Sequence, residues 1–194
     1  ALTRAPGWAN FGAQYGEVYQ LAATDPLFAT VGSRFLALQT AAYGTDHIYS
    51  CDTFNEMDPP SGDLAALKAS SAAVYGAMAA ADPQAVWLMQ GWLFIHEFWT
   101  KHADRVEAYL SGAPTPTREA PSGMWVLDLF GTSQPVWSQP FAKGYYGKPF
   151  IWCMLHNFGG NVGLGGRAEE VLAEPLKALA NASSSMVGIG ITME

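Results

Sequence analysis

Charge is scarce in this chain of 194 residues: 14% of them are Asp, Glu, Lys or Arg, and the balance is acidic at −7. With 10 Lys and Arg against 17 Asp and Glu, there is no basic footprint of the kind a nucleic-acid partner requires. Long apolar runs are also missing. The most compact one, around 85–95, is about half of the roughly 20 residues that span a bilayer, and it contains Gln90. No basic segment followed by an apolar one opens the chain. The two cysteines, Cys51 and Cys153, are too few for a zinc site or a disulfide framework. Each lies in an apolar run, which predicts buried free thiols. The four histidines, His47, His96, His102 and His156, have no metal-ligand spacing, so neither a metal nor another cofactor is expected.

Apolar residues are plentiful, at 49%, and aromatics reach 13%. That composition excludes a disordered chain and supplies one domain-sized core. The 20 glycines and 12 prolines predict many loops. Three helices are legible. Asp25-Pro26 starts one, with Asp as cap and Pro in the first turn; Leu27, Phe28, Val31, Phe35, Leu36 and Leu38 follow at helical spacing and Gly44 ends it. Asp63 caps an Ala-rich second helix that stops at Asp82-Pro83. A third follows His96, with Phe98, Val106, Tyr109 and Leu110 as its apolar positions, and stops before Gly112 and Pro114.

Between them lie apolar runs of strand length: Ile48–Phe54, Val86–Gln90, Trp125–Phe130, Phe150–Leu155 and Met186–Ile191. Their alternation with helices predicts βαβ units and a parallel sheet. The interval 131–149, rich in Pro and Gly, shows no helical period.

In such folds the chemistry sits where the strands end. Those ends carry Asn55-Glu56, Gln90-Gly91-Trp92, Asp128, His156-Asn157 and Glu194. Carboxylates after separate strands, with amides, a His and a Trp around them, suit glycoside hydrolysis by two carboxylates. Asn55 can hydrogen-bond a sugar hydroxyl, and His156 closes a strand as a candidate sugar contact. Gly163-Leu-Gly165-Gly-Arg-Ala168 loosely fits a dinucleotide fingerprint, but it trails its strand by six residues and reads as a loop over the mouth. Asn181-Ala-Ser183 is a glycosylation sequon.

Three stretches carry a resemblance: Asp52-Thr-Phe-Asn-Glu-Met-x-Pro-Pro60, Gln90-Gly-Trp-Leu-Phe94 and Phe150-Ile-Trp-Cys-Met-Leu-His-Asn-Phe-Gly-Gly-Asn161. Tyr43–Tyr49, Val126–Phe130, Ser133–Val136 and Met186–Gly188 add to it. Together they resemble the α-N-acetylglucosaminidases of glycoside hydrolase family 89 across essentially the whole chain. The resemblance implies an α/β fold: a partial (β/α)8 TIM-type barrel, middle to late strands with their helices. Residues 1–194 are then a piece of one catalytic domain whose flanking regions lie outside it.

The resemblance further implies a retaining exo-glycosidase that releases terminal α-linked N-acetylglucosamine from glycans such as heparan sulfate. Glu56 matches the acid/base and Glu194 the nucleophile; Asn55, Trp92, Leu129 and Phe158 match positions lining the sugar pocket. It implies a lysosomal, vacuolar or secreted location. A glycan is the expected partner, with no nucleic acid and no membrane span.

A non-catalytic carbohydrate-binding protein on the same scaffold is the alternative, and the retention of both glutamates favours the enzyme. The two carboxyl groups are expected at one end of the sheet, roughly 5–6 Å apart. Counting inclusively from the run that leads into Glu56 to the run that leads into Glu194, there are five strand-like runs where the retaining barrel pattern has four, so one of the two runs flanking 131–149 is expected to be extra or divergent. In an open half-barrel, Trp125, Val126, Phe150 and Trp152 are expected to be partly bare.

Overall fold

A computed structural model describes residues 2–5, 18–157, 166–182 and 184–193. The short strands β1 (Leu2–Ala5) and β2 (Val18–Leu21) form an antiparallel pair. Five parallel strands follow: β3 (Ile48–Ser50), β4 (Val86–Gln90), β5 (Gly123–Asp128), β6 (Phe150–Asn157) and β7 (Met186–Met193). They lie side by side in chain order, β3-β4-β5-β6-β7, the winding of a (β/α) barrel. All five runs belong to the one sheet, one more than the four of the retaining pattern, and neither of the two expected to be divergent lies outside it. The two that flank 131–149 are adjacent members of the sheet, with Val126 opposite Phe150 and Asp128 opposite Trp152. Asn55-Glu56 and the end of β7 are therefore separated by four strand steps.

The helices α1 (Pro26–Tyr43) and α2 (Leu64–Ala81) begin where their caps predict. Asp25 Oδ1 accepts from Leu27 N at 2.9 Å, and Asp63 Oδ1 from Ala66 N at 2.8 Å. The helix after His96 is in fact two, α3 (Glu97–Thr100) and α4 (Ala103–Leu110), broken at His102, whose φ of −141° is not helical. The break brings Trp99 into the cluster around Tyr109, ring centroids 5.4 Å apart. A fourth long element, α5 (Ala168–Asn181), has no counterpart in the sequence reading. Pro175 in its interior, a residue that normally stops a helix, hides it.

α2 has 18 residues of mean hydropathy 1.3, long and apolar enough by length and composition to cross a bilayer. Here it is a layer helix: Leu67, Ser71, Val74, Ala77 and Met78 are buried, and it packs against α1 and α4.

The two faces of the sheet differ. Trp87, Met89, Met124, Val126, Phe150 and Trp152 face outward, toward the helices and the 131–149 loop, and are fully buried. Leu88, Gln90, Trp125, Leu127 and Ile151 alternate with them on the barrel's inner face and are half-buried. Trp125 is thus partly bare as expected, but Val126, Phe150 and Trp152 are not, because their side chains point outward. In place of a crossover helix, the 131–149 loop covers Phe150 with Trp137, its ring stacked at 6.1 Å, and with Tyr145 at 5.6 Å. Tyr145 lies in a left-handed turn, with positive φ from Lys143 to Gly147.

Cys153 is buried and Cys51 half-buried, and both are free thiols. At the N-terminal edge of the sheet, Asp82 accepts from Tyr49 Oη at 2.7 Å and meets His47 Nδ1 at 2.7 Å. That accounts for His47 as a structural residue, far from the strand ends that carry chemistry.

Candidate active site

Parallel pairing sends the C-terminal ends of all five strands to one edge, and there the chain turns polar. After β3, residues 51–57 form a bonded loop. Trp87 Nε1 donates to Cys51 O at 2.8 Å, Asn55 N donates to Asp52 Oδ1 at 3.2 Å, and Met57 N to Phe54 O at 2.6 Å. The hydroxyls of Thr53 and Tyr109 share a hydrogen bond. Asn55 takes a left-handed backbone, φ 39°, a conformation Asn tolerates better than most residues. Glu56 follows it, half-buried. Burial pushes the Asp52 carboxyl up from its ordinary range.

After β4, Trp92 stands half-buried with its ring 6.2 Å from that of Phe130, which follows β5; Leu129 is half-buried beside it in the chain. At the end of β6, His156 is half-buried, and its Nδ1 has no partner among the described residues. β7 runs parallel to β6, with Met193 opposite Asn157 at this same edge. Glu194, Phe158 and the glycines Gly163 and Gly165 lie outside the described residues. Asn55, Glu56, Trp92, Leu129 and His156 thus come to one edge. Asn181 does not: it is exposed at the end of α5, its Nδ2 donating to Lys177 O at 2.8 Å, near the start of β7.

Asp128, the other strand-end carboxylate, is not in the mouth. It follows the outward parity of Val126, is 1% exposed, and accepts from Trp137 N at 2.7 Å and Val136 N at 3.2 Å. Burial pushes it up to about 6 despite those two donors. It anchors the 131–137 turn. Tyr109 is the reverse case. Read from sequence it is one apolar position of a helix, yet its hydroxyl touches the Glu56 loop; a tyrosine at a core position was the available signal.

A 590 Å³ cavity between α1, α2 and the loop is lined by Leu21, Phe28, Cys51, Phe54 and Pro59 among others. Glu56 is not among its walls, so the open mouth of the sheet is the candidate site. No group of three or more His, Cys, Asp or Glu suited to a metal occurs among the described residues.

The chain matches the alpha-N-acetylglucosaminidase (NAGLU) TIM-barrel domain family over residues 1–194. Human alpha-N-acetylglucosaminidase is 45% identical over 195 residues, covering 100% of this chain and 25% of that protein. Two structures of a family 89 glycoside hydrolase from Clostridium perfringens are similar. The complex with PUGNAc has TM-score 0.71 and that with 2-acetamido-1,2-dideoxynojirmycin 0.72; both are 28% identical over 100% of this chain and 20% of theirs. A variant of the Clostridium enzyme with two glutamates replaced by glutamine, in complex with its substrate GlcNAc-alpha-1,4-galactose, matches at TM-score 0.71, 28% identity, and 99% and 20% coverage. The chain spans about a quarter or less of these relatives' length. With the family matched over every residue and a sheet wound in the same order as a barrel, the chain belongs to the alpha-N-acetylglucosaminidase TIM-barrel domain family.

Proposed function

We propose that residues 1–194 are the central part of a single (β/α)8 catalytic domain, and that the complete protein is a retaining exo-α-N-acetylglucosaminidase. The observation that supports this most is the Asn55-Glu56 turn at the same sheet edge where β7 ends, one residue before Glu194. β3 and β7 are four steps apart, one step more than in the retaining pattern; in an eight-stranded barrel strands so spaced face each other across the mouth, and side chains from the two ends then reach one sugar from opposite sides.

In this reading Glu56 donates its proton to the glycosidic oxygen while Glu194 attacks the anomeric carbon. The carbon–oxygen bond breaks and a glycosyl-enzyme forms. Glu56 then takes a proton from water, the water oxygen attacks the same carbon, and Glu194 leaves; two inversions give net retention. The 5–6 Å separation expected of retaining carboxylates belongs to this proposal. No step calls for a metal or organic cofactor. Asn55, Trp92, Leu129, His156 and Phe158 bind the terminal sugar, with the Trp92 indole offering a flat surface to its C–H face.

An exo-enzyme engages one uncharged terminal residue, so a net charge of −7 is compatible even with a polyanionic chain such as heparan sulfate behind it. The Clostridium relative's substrate, GlcNAc-alpha-1,4-galactose, supports an α-linked terminal N-acetylglucosamine. A lysosomal, vacuolar or secreted site of action, with Asn181 glycosylated, fits the family. The test is made in a full-length protein containing this chain. Glu194→Ala abolishes turnover of every substrate. Glu56→Ala is mild on aryl glycosides with good leaving groups and severe on others, with azide restoring rate. Two variants that lose affinity and keep the rate constant would leave a carbohydrate-binding protein instead.

A further inference from the structure

The hydrogen bond between Tyr109 and Thr53 joins two elements 56 residues apart, and nothing in the packing requires it. Tyr109 is fully buried among aromatic rings: Trp99 at 5.4 Å, Phe54 at 6.1 Å, Phe94 at 6.2 Å and Trp87 at 6.3 Å. A phenylalanine would satisfy every one of those contacts. Its hydroxyl adds one thing, the bond to Thr53, two residues before Asn55. The other end of Tyr109 is held as well, since Ser71 Oγ of α2 donates to its carbonyl oxygen at 2.5 Å. The residue is thus a strut from α2, through α4, to the loop that carries Glu56.

What the strut holds is a strained turn. Asn55 has φ 39°, and a non-glycine residue stays there only when its surroundings over-determine it. Besides its own backbone bond from Met57 N to Phe54 O, the loop has three ties made by side chains: Trp87 Nε1 to Cys51 O, Tyr109 to Thr53, and Asp52 to the Asn55 amide. Of these, the bond to Thr53 is the side-chain tie from another element that lies nearest to Glu56. Burial raises the Tyr109 phenol far above its ordinary value, so the tie is not lost by ionisation at any working pH.

We propose that Tyr109 is a positioning residue for Glu56: its hydroxyl, through Thr53, sets where the Glu56 carboxyl stands at the sheet edge. The inference rests on the reading of Glu56 as acid/base. An acid displaced by a fraction of an ångström protonates the leaving oxygen poorly, and misplacements near 1 Å cost on the order of a hundredfold.

The test uses a full-length protein containing this chain, with Tyr109→Phe, Thr53→Val, the double variant, and Glu56→Gln as reference. Each is assayed on a series of aryl α-N-acetylglucosaminides of graded leaving-group acidity, and its Tm is recorded. For Tyr109→Phe and for Thr53→Val, kcat/KM on the poorest leaving groups falls about ten- to a hundredfold, while activated substrates are nearly unaffected. The double variant is no worse than either single one, because both remove one bond. Should Tyr109→Phe fail to fold, Thr53→Val carries the same comparison from the loop side. A loss equal across all leaving groups, or a lower Tm with unchanged kinetics, overturns the positioning role. If Glu56→Gln is itself indifferent to the leaving group, the acid/base reading falls and the inference with it. If Glu56→Gln is steep and the other variants flat, only the inference falls.

Discussion

Asp128 stands at the end of a strand, where a sugar-binding carboxylate would be sought, and it is turned the wrong way. Parity decides this: on β5 the even positions 124, 126 and 128 are buried beneath helices and loop, while 125 and 127 face the mouth. Because burial lifts its pKa from 3.8 to about 6, native Asp128 holds a proton that the unfolded chain has already released. The native form therefore binds more protons between about pH 4 and 6, and this stabilisation is lost as pH rises through that window. A shift of this size is worth about 3 kcal/mol as an upper bound. Asp128→Asn should flatten this part of the stability curve, so that unfolding midpoints at pH 4.5 and 7 differ less than in the parent protein. An unchanged pH slope would show that Asp128 does not titrate in this range. The Asn55-Glu56 turn, by contrast, was legible as a polar pair closing an apolar run. Its ties to Trp87 and Tyr109 were not, since those partners are 36 and 56 residues from the groups they hold.

At the scale of elements, the caps told most. Asp25-Pro26 and Asp63 start α1 and α2 at the expected residues, because a cap is a bond between neighbours in sequence. The break between α3 and α4 and the whole of α5 escaped, for the opposite reason: burial of Trp99 and of Pro175 overrides local preference. One contact between elements is especially close. A Cβ on Gly112, just past α4, would fall 1.9 Å from Ser71 Oγ and 2.4 Å from Lys68 O on α2. Gly112→Ala should therefore push α4 off α2, destabilising the protein by about 1–3 kcal/mol in denaturant unfolding. Gly76→Ala is the contrast. Within α2, a Cβ there meets nothing within 4 Å, and the gain in helix propensity should stabilise by up to about 1 kcal/mol. Equal effects from the two substitutions would mean that the α2–α4 approach is looser than described.

At the scale of the whole molecule, the apolar surface is uneven. Leu27, Val31, Phe35 and Leu38 are exposed along α1, Leu172, Leu176 and Leu179 along α5, and Val187, Ile189 and Ile191 on β7. These patches flank the sheet at its two ends, and its inner face is half-bare as well. Unpaired apolar edges template association. Residues 1–194 expressed alone should therefore self-associate on size-exclusion chromatography and hydrolyse no aryl glycoside measurably. A monodisperse, active 20.8 kDa monomer would show that the described sheet needs no completion.

The amino-acid sequence by itself determined the alternation of strands and helices, the caps, and the polar residues that close each strand. All of these depend on neighbours a few residues apart and on solvent. Only the tertiary structure decided which strand-end groups face the mouth and which are buried behind it. It alone joined β5 to β6 across a loop without a crossover helix, and made Tyr109 a strut rather than one more apolar ring. Those outcomes depend on strand parity and on partners tens of residues distant, and they are selected by packing the aromatic layer between sheet and helices, which no local pattern encodes.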